Sequence, residues 1–159
     1  MKIFGQVVDL TNYVETLVIP KGDREFVFKA RPVVESDYSE FDSLCAKPAA
    51  PVVFVPGGQQ KVDEADATFL ESLKKYRGYR TDFMFYKSLS ATEGLEWDTV
   101  VADKPETWSN VQSELKAAGF LDQEIVMLYN CVIAANGLDG EKIRKATDSF
   151  LAMAGNQAL

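Results

Sequence analysis

The first third of the chain alternates between apolar and polar positions, which is the pattern of half-buried β-strands. Three runs predict strands, at residues 2–8, 16–19 and 25–30. In the third run Phe26 and Phe28 fall on one face, because successive side chains of a strand point to opposite sides. With turn composition at residues 20–23, the runs predict a small antiparallel β-meander. Three strands cannot bury both faces alone, so we expect the meander to pack on helices or on another subunit.

The alternation is lost from residue 31 to residue 60, where four prolines disfavour helices and central strands. Residues 38–44 favour one helical turn, capped by Ser36 or Asp37. An apolar, β-prone tetrapeptide framed by prolines then follows, made of Val52, Val53, Phe54 and Val55. It predicts either an extended strap lying over the core or an edge that contacts a strand of a partner protein.

From residue 63 onward, apolar residues recur at steps of three and four, which predicts about four amphipathic helices. The first is capped by Asp63 and runs towards residue 89. The second begins at residues 103–106 and ends at Gly119. Its buried stripe consists of Trp108, Val111, Leu115 and Ala118.

A third helix begins at Asp122 and is apolar nearly all round over residues 125–135, so we expect it to be the most buried element. Gly137 ends it, and Asp139 caps the last helix. The predicted inner face of this last helix carries Ile143, Ala146, Phe150 and Leu151.

These patterns predict an α+β protein with a small N-terminal antiparallel β-meander, a proline-rich strap and then a bundle of about four α-helices. The corresponding segments are residues 1–34, 35–62 and 63–155. We expect them to form one compact unit, because 159 residues suffice for one ordinary domain.

The composition excludes several classes of function. The chain has 24 acidic and 17 basic residues, and a net charge of −7 disfavours nucleic acids and membrane surfaces as partners. It has no histidine, which excludes Ser-His and Cys-His nucleophiles and imidazole metal sites. Cys45 and Cys131 predict reduced thiols in a cytoplasm, with a disulfide as the alternative. We expect neither a signal peptide nor a membrane span.

Carboxylates are the main catalytic resource of a chain without histidine. The pairs Glu64 with Asp66 and Asp139 with Glu141 suggest acid–base catalysis or a site for a hard cation. Each pair lies at a predicted helix start, however, where negative charge favours the helix dipole. We therefore predict no catalytic, cofactor-binding or metal-binding residues, and a protein that is not an enzyme.

Two features raise the question of macromolecular partners. Residues 74–80 interleave cations with Tyr76 and Tyr79, as RNA-binding platforms do, but helical spacing favours a solvated face with internal ion pairs. Tryptophan is enriched at protein interfaces. Trp108 lies on an apolar helical stripe, which favours the core, whereas Trp97 lies in a predicted loop and fits the core or an interface equally well.

A further pattern is an ordered series of short motifs over residues 24–151. They are EFVFKARPV at 25–33, DYSEFD at 37–42, LC at 44–45, PGG at 56–58, YR at 79–80, SL at 88–89, LEWDTV at 95–100, KPETW at 104–108, EL at 114–115, AGF at 118–120, ANGLD at 135–139 and FL at 150–151. In this order they resemble the tail assembly chaperones of long-tailed (siphovirus-type) bacteriophages.

The resemblance implies an assembly factor in the cytoplasm of the infected host that is absent from the mature virion. Such chaperones bind the long, largely helical tape measure protein, keep it soluble and help tail tube subunits polymerise around it. They are commonly made in two forms, the longer by programmed ribosomal frameshifting, and this chain resembles the shorter form. An exposed edge of the meander leaves self-association open as well.

Sheltering a partner requires apolar surface rather than covalent chemistry. The candidate partner-binding residues are Val52, Val53, Phe54, Val55, Trp97 and Trp108. The alternative function is a small acidic phage or host-takeover adaptor that binds and inhibits a bacterial protein, because such adaptors share this size, acidity and lack of catalytic residues.

Overall fold

The computed structural model describes residues 2–3, 5–7 and 13–156 and confirms the α+β class. The strands are β1 (Lys2–Ile3), β2 (Gln6–Val7), β3 (Glu15–Lys21), β4 (Arg24–Ala30), β5 (Val52–Val55) and β6 (Gln59–Val62). The helices are α1 (Glu35–Leu44), α2 (Ala67–Leu89), α3 (Asn110–Ala117), α4 (Asp122–Ala135) and α5 (Gly140–Asn156), with a 3-10 turn at Pro105–Thr107.

The strands pair as three antiparallel hairpins, β1–β2, β3–β4 and β5–β6. The second and third predicted strands form β3–β4, as expected from their alternation. The first predicted strand does not join them. Instead, its described residues form the short hairpin β1–β2 around Gly5, whose φ of 79° suits a chain reversal. The expected meander is therefore a set of separate hairpins.

The packing divides the chain into two compact units. Unit 1 consists of Met1–Val33, Ser88–Leu95 and Phe120–Leu159, as far as these segments are described, and unit 2 of Val34–Lys87 and Glu96–Gly119. Across the described ranges, no helix is both long and apolar enough to cross a membrane.

Unit 1 is built from the β3–β4 hairpin packed on α4. Gly22 makes the tight turn of this hairpin with a φ of 58°. The buried face of the hairpin carries Ile19, Phe28 and Ala30. The facing residues of α4 are Ile125, Leu128, Val132 and Ala135, which are all buried at helical spacing.

Unit 2 has an aromatic core around Trp108, which is fully buried. The ring centroid of Trp108 lies 5.0 Å from that of Phe83 and 6.0 Å from that of Phe41. The indole N–H donates to the carbonyl oxygen of Val101 at 3.2 Å, so the polar atom of this buried ring has a partner. The predicted burial of Trp108 is confirmed, although Trp108 lies between the 3-10 turn and α3 rather than on that helix.

Carboxylates accept backbone N–H groups at several helix starts, although three of the predicted starts are displaced. The start predicted at residues 103–106 forms only the 3-10 turn, and α3 begins later, at Asn110. Asp66, rather than Asp63, caps α2 by accepting the N–H of Phe69 at 2.7 Å, and Asp63 instead closes a turn with Ala65. Helix α1 begins at Glu35, before the two predicted caps, and the Asp37 carboxylate accepts the N–H of Val34. Asp139 caps α5, as predicted.

The predicted burial of the later helices is only partly confirmed. Gly119 and Gly137 follow α3 and α4 with positive φ, as expected of helix-terminating glycines. However, Ala118 is exposed, and Val126 and Met127 leave one face of α4 about half exposed. On α5, Ile143 and Ala146 are exposed rather than inward-facing, and the side chains of residues 150 and 151 lie outside the described ones.

The side chain of Asn136 joins three segments of unit 1. Its Oδ1 accepts the N–H of Val33 at 2.8 Å, and its Nδ2 donates to the Ser88 hydroxyl at 2.9 Å and to the Val132 carbonyl at 2.8 Å. Ser88 is fully buried, and its carbonyl accepts the N–H of Arg31 at 3.0 Å. Because buried polar groups need partners, this one amide satisfies groups that no apolar side chain could.

Replacing Asn136 tests this role. Asn136→Ala leaves the Val33 N–H and the buried Ser88 hydroxyl without this partner, so we expect the free energy of unfolding to fall by about 1 to 3 kcal/mol. Urea denaturation followed by circular dichroism measures the change. Asn130→Ala is the matched control, because Asn130 is exposed on α4 and its replacement should change stability by less than about 0.5 kcal/mol. Equal stability of the two variants would contradict the role assigned to Asn136.

Candidate partner-binding surface

The predicted strap is the first strand of a β-hairpin in unit 2. Its β-branched residues form β5, and the following Gln59–Val62 pairs with it as β6. The loop needs glycine, because Gly57 and Gly58 have φ values of 102° and 75°. The Gly58 N–H donates to the Val55 carbonyl at 3.1 Å at the tip, and the Asp63 N–H donates to the Pro51 carbonyl at 2.8 Å at the base.

One face of this hairpin is apolar and exposed. Val52 and Phe54 point to the same side of β5, and Val62 lies directly opposite Val52. Their exposed fractions are 56% for Val52, 74% for Phe54 and 52% for Val62. We call these three residues the hairpin face. A strap lying over the core would have buried Phe54, so that interpretation is wrong.

The other side of β5 is less exposed. Val53 is 38% exposed and Val55 is half-buried, with Lys61 and Gln59 as their partners on β6. The tetrapeptide therefore divides into two faces. Only the face that carries Phe54 has apolar residues on both strands, because Val62 of β6 lies on it. Val62 is the residue of this face that the sequence analysis missed. The signal was the short Pro56–Gly57–Gly58 loop, which separates two runs of four residues.

The loop that carries Trp97 is held in place by a carboxylate from α3. Oxygens of Glu114 accept the backbone N–H groups of Asp98 at 2.9 Å and Thr99 at 2.6 Å, as well as the Thr99 hydroxyl at 2.5 Å. Burial alone would raise the pKa of Glu114, but these hydrogen bonds outweigh it and hold the pKa below its ordinary value. Trp97 itself is half-buried beside this ordered turn.

The structure does not bring the two tryptophans and the hairpin together through ring contacts. Trp108 is fully buried and offers no surface to a partner. Among the ring pairs of the described residues, neither Trp97 nor Phe54 takes part. Of the predicted residues, Val52 and Phe54 on the hairpin face are therefore the most exposed, with Trp97 as a separate, half-buried residue.

The two tyrosines of the basic segment are half-buried and pack on core rings, unlike the exposed rings of a stacking platform. The Tyr76 ring contacts Phe41 edge-on, with centroids 5.4 Å apart, and the Tyr79 ring contacts Trp108 edge-on at 6.4 Å. Nucleic-acid platforms need exposed ring faces. The ion pair expected within this helix, between Glu71 and Lys74, does not occur among the salt bridges of the described residues.

The acidic pairs and the two cysteines, which were the candidate chemical groups, lie in surroundings that favour a structural role. Asp66 and Asp139 each accept a backbone N–H at a helix start, so one member of each acidic pair has a structural role. Within the described ranges, no group of three or more metal-ligating side chains converges. Cys45 and Cys131 are free thiols, and burial raises the pKa of each, which disfavours the reactive thiolate.

The hydrogen bonds that Asp98 and Thr99 donate to Glu114, which we call the Glu114 clasp, have a testable pH dependence. The pKa of Glu114 is lowered in the folded chain. Its contribution to stability is therefore present above the ordinary value of 4.5 and disappears as the pH falls through the lower folded value. At neutral pH we expect Glu114→Gln to lose about 1 to 2 kcal/mol of unfolding free energy, with the deficit shrinking in acid. Urea denaturation over a pH series measures both effects. Glu71→Gln, on the exposed face of α2, is the matched control, and a deficit independent of pH would contradict this account.

Comparisons with known proteins add no identification. A scan against protein-family models, a search of curated proteins and a search of solved structures each gave no match to this chain.

Proposed function

We propose that this chain is a phage tail assembly chaperone. It binds the tape measure protein, keeps it soluble in the cytoplasm of the infected host and helps tail tube subunits polymerise around it. The order of motifs over residues 24–151 supports this choice of partner. The single structural observation that supports it is the hairpin face, an apolar surface of three side chains that the described structure leaves open to solvent.

The hairpin face suits the sheltering of an apolar helix. A tape measure protein presents amphipathic helices whose apolar stripes must be covered until the tube encloses them. Burying an exposed phenylalanine contributes about 2 kcal/mol, so covering Phe54 alone gives a useful part of a binding energy. The hairpin supplies this surface without exposing the aromatic core of unit 2, which holds Trp108.

The hairpin offers a second mode of contact through its backbone. Among the described strands, β5 and β6 pair only with each other, so the outer edge of each is open to an added strand. An extended segment of the partner would then gain main-chain hydrogen bonds along one edge, with the apolar side chains of the hairpin face beside it. Both modes place the same residue, Phe54, at the contact.

The direct test is co-purification with the tape measure protein of the phage that encodes this chain. We expect Val52→Asp/Phe54→Asp to abolish co-purification and tape measure solubility, because two charges would enter the apolar contact. Melting should stay within about 2 °C of the unsubstituted protein, since both side chains are exposed.

The control for this test is Val126→Asp/Met127→Asp, which makes the same change of charge on two exposed apolar residues of α4. This variant should co-purify normally. Undiminished co-purification of the hairpin variant would remove the hairpin face from the proposal. Capture of a host bacterial protein instead of the tape measure protein would replace the proposal with an adaptor function.

A further inference from the structure

A basic cleft of about 580 Å³ opens on unit 2, apart from the residues of the hairpin face. It is lined by Asp42, by Lys47 and by four residues of α2, namely Leu73, Tyr76, Arg77 and Arg80. Asp42 belongs to α1, and Lys47 follows the end of that helix. The cleft therefore combines charged side chains with a leucine and a tyrosine.

The charge of this cleft is opposite to that of the whole chain. Three cationic side chains and one carboxylate line it, giving 3 − 1 = +2, whereas the chain carries −7. Among the salt bridges of the described residues, none uses Lys47, Arg77 or Arg80. The cleft thus holds a local surplus of positive charge that ion pairs of the fold do not neutralise.

The aromatic residues beneath the cleft fix one of these cations in place. The Arg80 guanidinium lies 4.3 Å from the ring centroid of Tyr38 and 5.9 Å from that of the buried Phe41. Such stacking holds the planar guanidinium while its N–H donors stay available to a carboxylate. Arg77 is three positions earlier on α2, so the two arginines share one side of the helix.

We propose that this cleft binds an acidic segment of a partner protein. Carboxylates of the segment pair with Lys47, Arg77 and Arg80, and an apolar side chain between them packs against Leu73. Bidentate carboxylate–arginine pairing supplies both energy and orientation. The charged residues lining the cleft are exposed, which suits an extended segment better than a small molecule, since small ligands are mostly enclosed by their sites.

Two observations favour a protein segment over a single-stranded nucleic acid. The rings of Tyr76 and Tyr79 are half-buried and pack on Phe41 and Trp108, which leaves less ring surface for bases than an exposed stacking platform has. Asp42 lies in the wall, with its carboxylate 3.5 Å from the Tyr76 hydroxyl, and an unbroken phosphate backbone would have to pass it. An acidic peptide can place an uncharged residue there.

The test uses the full chain and a fluorescein-labelled peptide in which Asp and Glu alternate with Leu. Fluorescence anisotropy measures the affinity. We expect Lys47→Gln/Arg77→Gln to weaken binding about tenfold, because two charge pairs are lost, and added salt to weaken the unsubstituted complex. Arg80 is retained, since it also packs on Tyr38.

Lys74→Gln/Lys104→Gln is the matched control, with the same loss of charge at two exposed lysines of unit 2 outside the cleft. It should change the affinity less than about twofold. Equal weakening by both double variants, or no binding by the unsubstituted chain, would overturn the proposal. Tighter, cleft-dependent binding of single-stranded RNA would also overturn it.

This inference does not depend on the proposed chaperone function. The hairpin variant Val52→Asp/Phe54→Asp should bind the acidic peptide normally, because its substitutions lie outside the cleft. A hairpin variant that loses tape measure co-purification but still binds the peptide therefore gives a result on the hairpin face alone. Loss of peptide binding in the cleft variant, with co-purification intact, concerns the cleft alone.

Discussion

A two-stranded β-hairpin has too few neighbours to bury an apolar face by itself, and every described sheet of this chain has only two strands. In unit 1 the constraint is met by α4, which packs on β3 and β4 and buries Ile19, Phe28 and Ala30. In unit 2 no helix of the described structure packs extensively on β5 or β6, and Phe54 stays exposed. A two-stranded hairpin thus contributes to the core in unit 1 and leaves an apolar face exposed to solvent in unit 2.

Several carboxylates of this chain accept backbone N–H groups. Asp66 and Asp139 do so at helix starts, Asp37 does so at the entrance to α1, and Glu114 does so across a loop. At Glu114 these hydrogen bonds hold the pKa below its ordinary value, whereas a general acid at neutral pH requires a raised pKa. A large acidic surplus is therefore compatible with a fold in which these four groups have structural partners.

Local signals were enough to predict much of the helical structure. Gly119, Gly137 and Asp139 mark helix ends because glycine adopts positive φ and aspartate accepts N–H groups without any help from distant residues. Asp63 and Asp66 both have the chemistry of a cap, so composition alone did not identify Asp66 as the one that α2 uses.

The features that the sequence patterns did not predict depend on contacts between segments that are distant in the sequence. β6 is polar and has little intrinsic preference for a strand, so its pairing with β5 was not visible in its own residues. The three hydrogen bonds of Asn136 depend on segments up to 103 positions away. The loop that carries Trp97 shows the same limit, because its backbone is held by Glu114, which lies 15 and 16 positions beyond Thr99 and Asp98.

The two surfaces of unit 2 rely on forces that respond oppositely to salt. Screening shortens the range of the charges at Lys47, Arg77 and Arg80, so added salt weakens any complex made through the basic cleft. Contact through the hairpin face depends on removing apolar surface from water. Kosmotropic salts such as sulfate strengthen this hydrophobic contribution. A partner that uses only one surface therefore has a salt dependence of one sign. A partner that carries both an apolar stripe and flanking carboxylates is held by whichever force the ionic conditions leave dominant.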